Sequence, residues 1–331
     1  MSRHPIVDVQ THMYSLTGVP IYVHQGDWIA GKACGCATIA HPELGEIDVW
    51  TTHFTAVGGQ IGPETQRAFR TVEAFELARL CRASAQRGRH VLCMGDLNSL
   101  PESLCMSVLF SLAGLQDSFA SITQQDAESP DTGITCDSPK NTWTANKILD
   151  ERALRHNGKR LDYILFRGPE NSPMRLQCTQ HKVTLTEPIL AYGVSYSDHF
   201  GVEATFEVSN DTQNAPIFQE TPSQVLGKTL PLLQEALRLA RKRQIFSLRF
   251  FGGFLASAAI MIVGNACSAV WLSYGRSVPV SLISGLLLIL TSWAGTTALY
   301  DGIVWGEWQK RALRTTMDRM EILQSADSYQ I

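Results

Sequence analysis

The sequence predicts an α/β domain followed by a helical membrane hairpin, on three observations. Short apolar or alternating runs of strand length recur through residues 1–208, separated by segments of helical periodicity. Two stretches without any charge follow, residues 250–274 and 277–300, at 25 and 24 residues. Each is long enough to cross a hydrocarbon core of about 30 Å. Between these parts, residues 209–227 turn rich in Asn, Gln, Thr and Pro and read as a linker.

Taken in order, residues 22–24 read as a strand after the turn Gly18-Val19-Pro20. Asp27-Trp28-Ile29-Ala30-Gly31-Lys32 reads as a loop with an acid and a base five apart, a spacing that also suits a solvated surface pair. Strands over 33–40 and 47–53, joined by the turn at 41–46, make a hairpin whose second strand ends in His53. Pro63 opens a helix with Ala68, Phe69, Val72 and Phe75 on its apolar face and Arg67, Arg70, Arg79 and Arg82 on a solvated one. The apolar run 91–94 is a buried strand broken by Gly95. It delivers Asp96 and Asn98 to the loop beyond, where they can converge on a small polar target or simply form an Asx turn. A helix over 102–113 stops at Gly114, and residues 121–158 form a long loop. Asp162 lies near the start of an apolar strand over 159–166, where a buried carboxylate needs a partner. After a strand near 178–186, Asp198-His199 precedes the last strand, 202–208, either as an acid/base pair or as a surface turn.

A net charge of −3 over 331 residues supplies no basic field, and no nucleic acid partner is expected. Eight scattered cysteines show no zinc-ribbon spacing and fit free thiols in a reducing compartment. Residues 1–6 carry no apolar signal core, so no signal peptide is expected. Residues 228–249 hold six Lys/Arg and residues 310–319 hold four, whereas Arg276 stands alone in the turn between the apolar stretches. The positive-inside rule then places both ends of the chain in the cytosol. The expected organisation is a domain at 1–208, a linker and basic juxtamembrane helix at 209–249 that can meet anionic phospholipids, two membrane helices within 250–305, and a cytosolic tail at 306–331.

Thr52-His53-Phe54-Thr55-Ala56, Gly95-Asp96-Leu97-Asn98, Leu161-Asp162-Tyr163 and Ser197-Asp198-His199, in that order, resemble the endonuclease/exonuclease/phosphatase superfamily. With the membrane spans and the pair Asp27 and Lys32, the resemblance narrows to the neutral sphingomyelinases and inositol phosphosphingolipid phospholipases C. It implies a two-sheet α/β sandwich and Mg2+-dependent hydrolysis of a sphingolipid phosphodiester to ceramide at an endomembrane such as the endoplasmic reticulum. His199 would be the general base, Asp96 and Asn98 would orient water and phosphate, and His53 would stabilise the developing charge. Asp162 would pair with a histidine or the phosphate, Asp198 would lie at the metal, and Asp27 with Lys32 would switch the site between closed and open forms. The superfamily also supplies an early Asn and a metal-binding Glu in a Gln-Glu strand, and neither is found before Asp27. The expectation is therefore a sandwich incomplete at its N-terminal side, with unpaired strand edges and poor hydrolysis by the chain as written. The alternatives are a membrane protein that keeps a catalytically impaired fold for binding, and another phosphodiesterase or nuclease of the superfamily.

Overall fold

The computed structural model describes residues 1–56, 64–123, 133–170, 172, 174–209 and 220–328. Pro63, residues 124–132 of the long loop and residues 210–219 of the linker fall outside the described residues.

A six-stranded mixed sheet forms the core, in the order β1 (Ile6–Met13), β2 (Ala33–His41), β3 (Gly45–His53), β4 (His90–Asp96), β6 (Asp162–Arg167), β5 (Gln116–Asp117). The hairpin is present, with Cys34 opposite Thr52 and Ile39 opposite Ile47. β3 and β4 run parallel, joined by α2 (Glu64–Gln86), and β4 and β6 run antiparallel. β7 (Arg175–Thr184) and β8 (Gly201–Ser209) form a separate antiparallel ladder.

Alternation along β4 builds the two layers. Val91 and Cys93 face the main core with Phe69, Val72 and Phe75 of α2, and with α3 (Leu104–Ala113). Leu92 faces the other way and joins Phe166, Leu176, Cys178 and Phe206, so the ladder packs on the opposite side of the sheet. Trp50 is fully buried and its Nε1–H donates to Ser84 Oγ at 3.2 Å, which pins β3 to α2. β1 lies at the sheet edge with most of its residues exposed, as expected of an edge left uncovered. All eight cysteines are free thiols.

Several local expectations change. Residues 23–25 form a 3-10 turn and not part of a strand, and Asp27–Ala30 form the short helix α1. Gly95 does not end its strand; β4 continues to Asp96. Arg70 is not on a solvated face, because it is buried and donates to Thr55 O at 3.1 Å. The long loop contains α5 (Glu151–His156), after α4 (Ser118–Thr123) at its start.

The C-terminal part is also more integrated than a linker, hairpin and free tail. α6 runs unbroken from Pro222 to Trp271, 50 residues, about 75 Å at 1.5 Å per residue. Thr221 and Gln224 form a capping box at its start. Its first half contributes Val225, Leu226, Leu233 and Ala236 to the main core, and α8 (Gly306–Ser328) returns Leu313 and Met320 to the same core. The second half of α6 and α7 (Tyr274–Leu299) present exposed apolar side chains, such as Ile262, Leu282 and Leu286. Both helices are long and apolar enough to cross a membrane. Where they meet α8, buried Asp301 accepts from Ser247 Oγ at 2.6 Å and pairs with Arg243. Of the six basic residues at 228–249, Arg243 is thus spent inside the fold and Arg238 pairs with Glu235, while Arg241, Lys242 and Arg249 stay exposed.

Candidate active site

Strand register assembles the site. His53 at the end of β3 is opposite Asp96 at the end of β4, and Asp96 is opposite Asp162 at the start of β6. Three adjacent strands therefore present His53, Asp96 and Asp162 side by side. Gly95 makes this approach feasible: its φ is 140°, and a Cβ there would lie 1.9 Å from Thr52 O.

Beyond Asp96 the chain turns through Asn98, a non-glycine residue at φ 44°. The Asn98 backbone N–H donates to Asp96 Oδ1 at 2.8 Å, and its Nδ2 donates to Phe54 O at 3.0 Å and to Asp96 Oδ2 at 3.2 Å. An Asx turn is thus present, and it is the device that fixes the Asp96 carboxylate in the site.

His199 arrives from the other sheet. It precedes β8 and is tied down by a bridge to Cys136 and by the Phe200 N–H bond to Thr135 O at 2.8 Å. Thr135 Oγ1 in turn accepts from the Asp162 N–H at 3.2 Å. His199 Nδ1–H then donates to Asp162 Oδ2 at 2.8 Å. Asp96, Asp162 and His199 each offer one ligand atom, all within 4.8 Å of one another, and are the one such group among the described residues.

Electrostatics separate the roles. Burial pulls the His199 imidazole down, but hydrogen bonds with Asp162 and Cys136 outweigh it and push the ring up to about 11. Burial, then the negative charge of Asp162, push the Asp96 carboxyl up to about 6. His53, 3.4 Å from Asp96 through Nε2, is held below the ordinary imidazole range by burial and then by the Lys32 charge.

Asp27 and Lys32 are not a solvated pair. Both are buried, 3.4 Å apart, and Asp27 Oδ1 accepts from the Ala56 N–H at 3.5 Å, so the pair backs the loop that leaves His53. That loop has a second support invisible in the sequence pattern. Thr55 donates through N–H and Oγ1 to buried Glu73, at 3.0 and 2.7 Å.

Asp198, expected beside the metal, does not join Asp96, Asp162 and His199. Its Oδ2 accepts from Lys147 Nζ at 3.1 Å, half-exposed and outside the Asp96, Asp162 and His199 group. Asn141 and Trp143 hold its turn through Ser197 O at 2.9 Å and Ser195 O at 3.0 Å. Asn98 and His199 line a cleft of about 980 Å³ that extends toward α5. The sequence reading missed Lys147 and α5, both within the polar stretch taken as loop; the one available signal was Asp150, a good N-cap residue.

No family profile matches the chain. It is 28% identical to the inositol phosphosphingolipids phospholipase C of Schizosaccharomyces pombe, over 94% of this chain and 73% of that protein. It is 31% identical to sphingomyelin phosphodiesterase 2 of Rattus norvegicus, over 72% of this chain and 53% of that one. The chain thus spans about half the length of the second relative. Among solved structures, sphingomyelinase C from Streptomyces griseocarneus aligns over 61% of this chain and 65% of that one, at a TM-score of 0.38 and 19% identity. By sequence, the chain is a homologue of the inositol phosphosphingolipids phospholipase C and sphingomyelin phosphodiesterase proteins.

Proposed function

We propose that the site hydrolyses the phosphodiester of a membrane sphingolipid in the manner of a phospholipase C, releasing ceramide and a phosphorylated head group. The observation that carries this reading is the convergence of His53, Asp96, Asn98, Asp162 and His199 from two sheets, beside the cleft that Asn98 and His199 line. The relatives named above support the same chemistry.

The donor set suits a hard divalent cation, and Mg2+ is the proposed one, held by Asp96 and Asp162. When bound, it supplies neutralisation of the phosphate charge. His199 exchanges the proton of the attacking water, and Asp162 fixes its ring and tautomer. Positive charge near Asp162 weakens that carboxylate's hold on the imidazole, which moves the ring from about 11 toward the range of a base. Neutral His53 donates to a phosphate oxygen, and Asn98 orients Asp96. Asp27 and Lys32 set the position of the His53 loop, and Asp198 sets the turn that carries His199.

Residues 250–305 are proposed to cross an endomembrane, the endoplasmic reticulum or a related one, as a hairpin with residues 1–208 and 306–328 on the cytosolic side. Exposed Arg241, Lys242 and Arg249 would then lie where anionic phospholipids present their phosphates. One observation favours a second reading, lipid binding without turnover: Asp162 already holds His199 and Asp96 already accepts from Asn98 through both oxygens, so both carboxylates are engaged.

Release of ceramide from sphingomyelin and inositol phosphoceramide micelles by the purified chain, with Mg2+ titrated in and then chelated, decides between them. Mg2+-dependent release supports the hydrolase. Retention of lipid by a folded chain with no release would leave binding alone.

A further inference from the structure

The loop that links β1 to β2 carries an apolar surface. Ile21, Tyr22, Val23, Trp28 and Ile29 are all exposed, Val23 and Ile29 at 64% and 65%. Residues 20–31 hold no Lys, Arg or Glu, and their one aspartate, Asp27, is buried. Large apolar side chains in water with no exposed fixed charge among them mark a contact surface. The backbone presents them firmly. The Gln25 N–H donates to Tyr22 O at 2.9 Å and the Gly31 N–H to Asp27 O at 3.1 Å, which close the 3-10 turn and α1. Gly18 lies at φ 139°, where a Cβ would stand 2.7 Å from the Trp28 backbone N, so the loop doubles back on itself.

Two contacts fix this loop to the point where the apolar helices leave the core. Trp308 Nε1–H, in the first turn of α8, donates to Ser15 O at 2.8 Å. The Arg243 guanidinium lies over the Tyr22 ring, 5.1 Å from its centroid, while its Nε–H donates to buried Asp301 at 3.2 Å. Phe250, where the uncharged stretch of α6 begins, is about 10 Å further along the helix at 1.5 Å per residue. Exposed apolar surface begins sooner. Ile245 and Phe246 are exposed on α6, and so are Ile303 and Val304 on the returning chain, which Gly302 and Gly306 bring against Leu248 and Gln244. The head-group layer outside a hydrocarbon core is about 5–8 Å thick on each side, and Tyr and Trp collect in it. Tyr22 therefore stands at the depth of that layer when the helices span a bilayer, and Val23, Trp28 and Ile29 share its loop.

We infer that residues 21–29 form a membrane-seated loop, which dips its apolar side chains into the cytosolic head-group layer of the bilayer that the helices cross. The occupant is lipid, because the loop is held at the level of the exposed apolar side chains of the helices themselves. The inference rests on the reading of residues 250–305 as a membrane hairpin. The attachment is apolar, so it requires no anionic lipid. The same loop ends in the buried pair Asp27 and Lys32 behind the His53 loop, so seating it keeps the reacting groups at the membrane surface.

Site-directed fluorescence in the full chain tests it. Seven of the eight cysteines are buried, so Cys267→Ser leaves no exposed thiol. In that background Val23→Cys, Ile29→Cys, Ile262→Cys and Glu43→Cys, all at exposed positions, each receive an environment-sensitive dye. The chains are placed in phosphatidylcholine vesicles with the cytosolic face outward. Some of the lipids carry a nitroxide, either near the head group or near the end of the acyl chain. Labels at 23 and 29 should lose emission to the shallow nitroxide and the label at 262 to the deep one. All three should resist iodide in the buffer, and high salt should change none of this. The label at 43, in the polar turn at the far end of β2, should respond to iodide alone. Response to iodide alone at 23 and 29, with lipid quenching at 262, would overturn the inference and leave the hairpin standing. Labels at 23 and 29 that resist both quenchers would place protein on the loop and overturn it equally. Absence of lipid quenching at 262 would remove the hairpin reading, and this inference with it.

Discussion

His199 and Asp162 lie 37 positions apart in the sequence and meet at 2.8 Å across the joint between the six-stranded sheet and the two-stranded ladder. Removing either partner acts on the other. His199→Ala is expected to lower hydrolysis by about 10²–10⁴-fold, the usual loss for a general base, with melting temperature nearly unchanged. Asp162→Asn should lower it as well and bring the imidazole pKa, read by NMR titration of His199, down from about 11. A folded His199→Ala variant with near-normal turnover would remove this residue from the mechanism.

Glu73 gives a pH signature in stability. Burial raises its carboxyl to about 7 from 4.5, against the opposing Thr55 hydrogen bonds and the Arg70 charge. Between those values the folded chain holds a proton that the unfolded chain has released. This contribution is complete below about pH 4.5 and is lost as pH rises through about 7, on the order of 3 kcal/mol in total. Denaturation midpoints across that window should fall more steeply with pH for the native chain than for Glu73→Gln. Parallel profiles would contradict the assignment.

Gly95 carries the closest backbone approach in the site. Gly95→Ala places a Cβ against Thr52 O and demands φ 140° of an L-residue. The expected cost is about 3–5 kcal/mol, through separation of β3 and β4. Chemical denaturation measures it, and His53 and Asp96 should lose their register even in conditions where the variant folds. A variant as stable as the parent would show that the strand bends there freely.

The two apolar helices predict behaviour in membranes. Residues 250–305 should keep the chain in the pellet after alkaline extraction. In sealed vesicles with the cytosolic face outward, protease should reach residues 1–208. Protection of that part would reverse the orientation deduced from the basic residues.

The sequence by itself determined what one element can say of itself. Period-two alternation marked β3 and β8, the turn at 41–46 paired β2 with β3, and helical spacing marked the face of α2 that holds Ala68, Phe69, Val72 and Phe75. The absence of charge over residues 250–300, apart from Arg276, marked the apolar hairpin. Four short motifs marked His53, Asp96, Asn98, Asp162 and His199 through their ordered resemblance to one superfamily. Tertiary structure decided which of these groups meet. Register aligned His53, Asp96 and Asp162, and packing of the ladder brought His199 to Asp162 while sending Asp198 to Lys147. It also buried Arg70, which read as a surface charge, and the pair Asp27 and Lys32, for which a solvated surface pair was one of two readings, and drew both the start of α6 and α8 into the core. The physical reason is the same in each case. Periodicity fixes the faces of a segment, whereas the partner that satisfies a buried charge or covers an apolar face is chosen by elements distant in the chain.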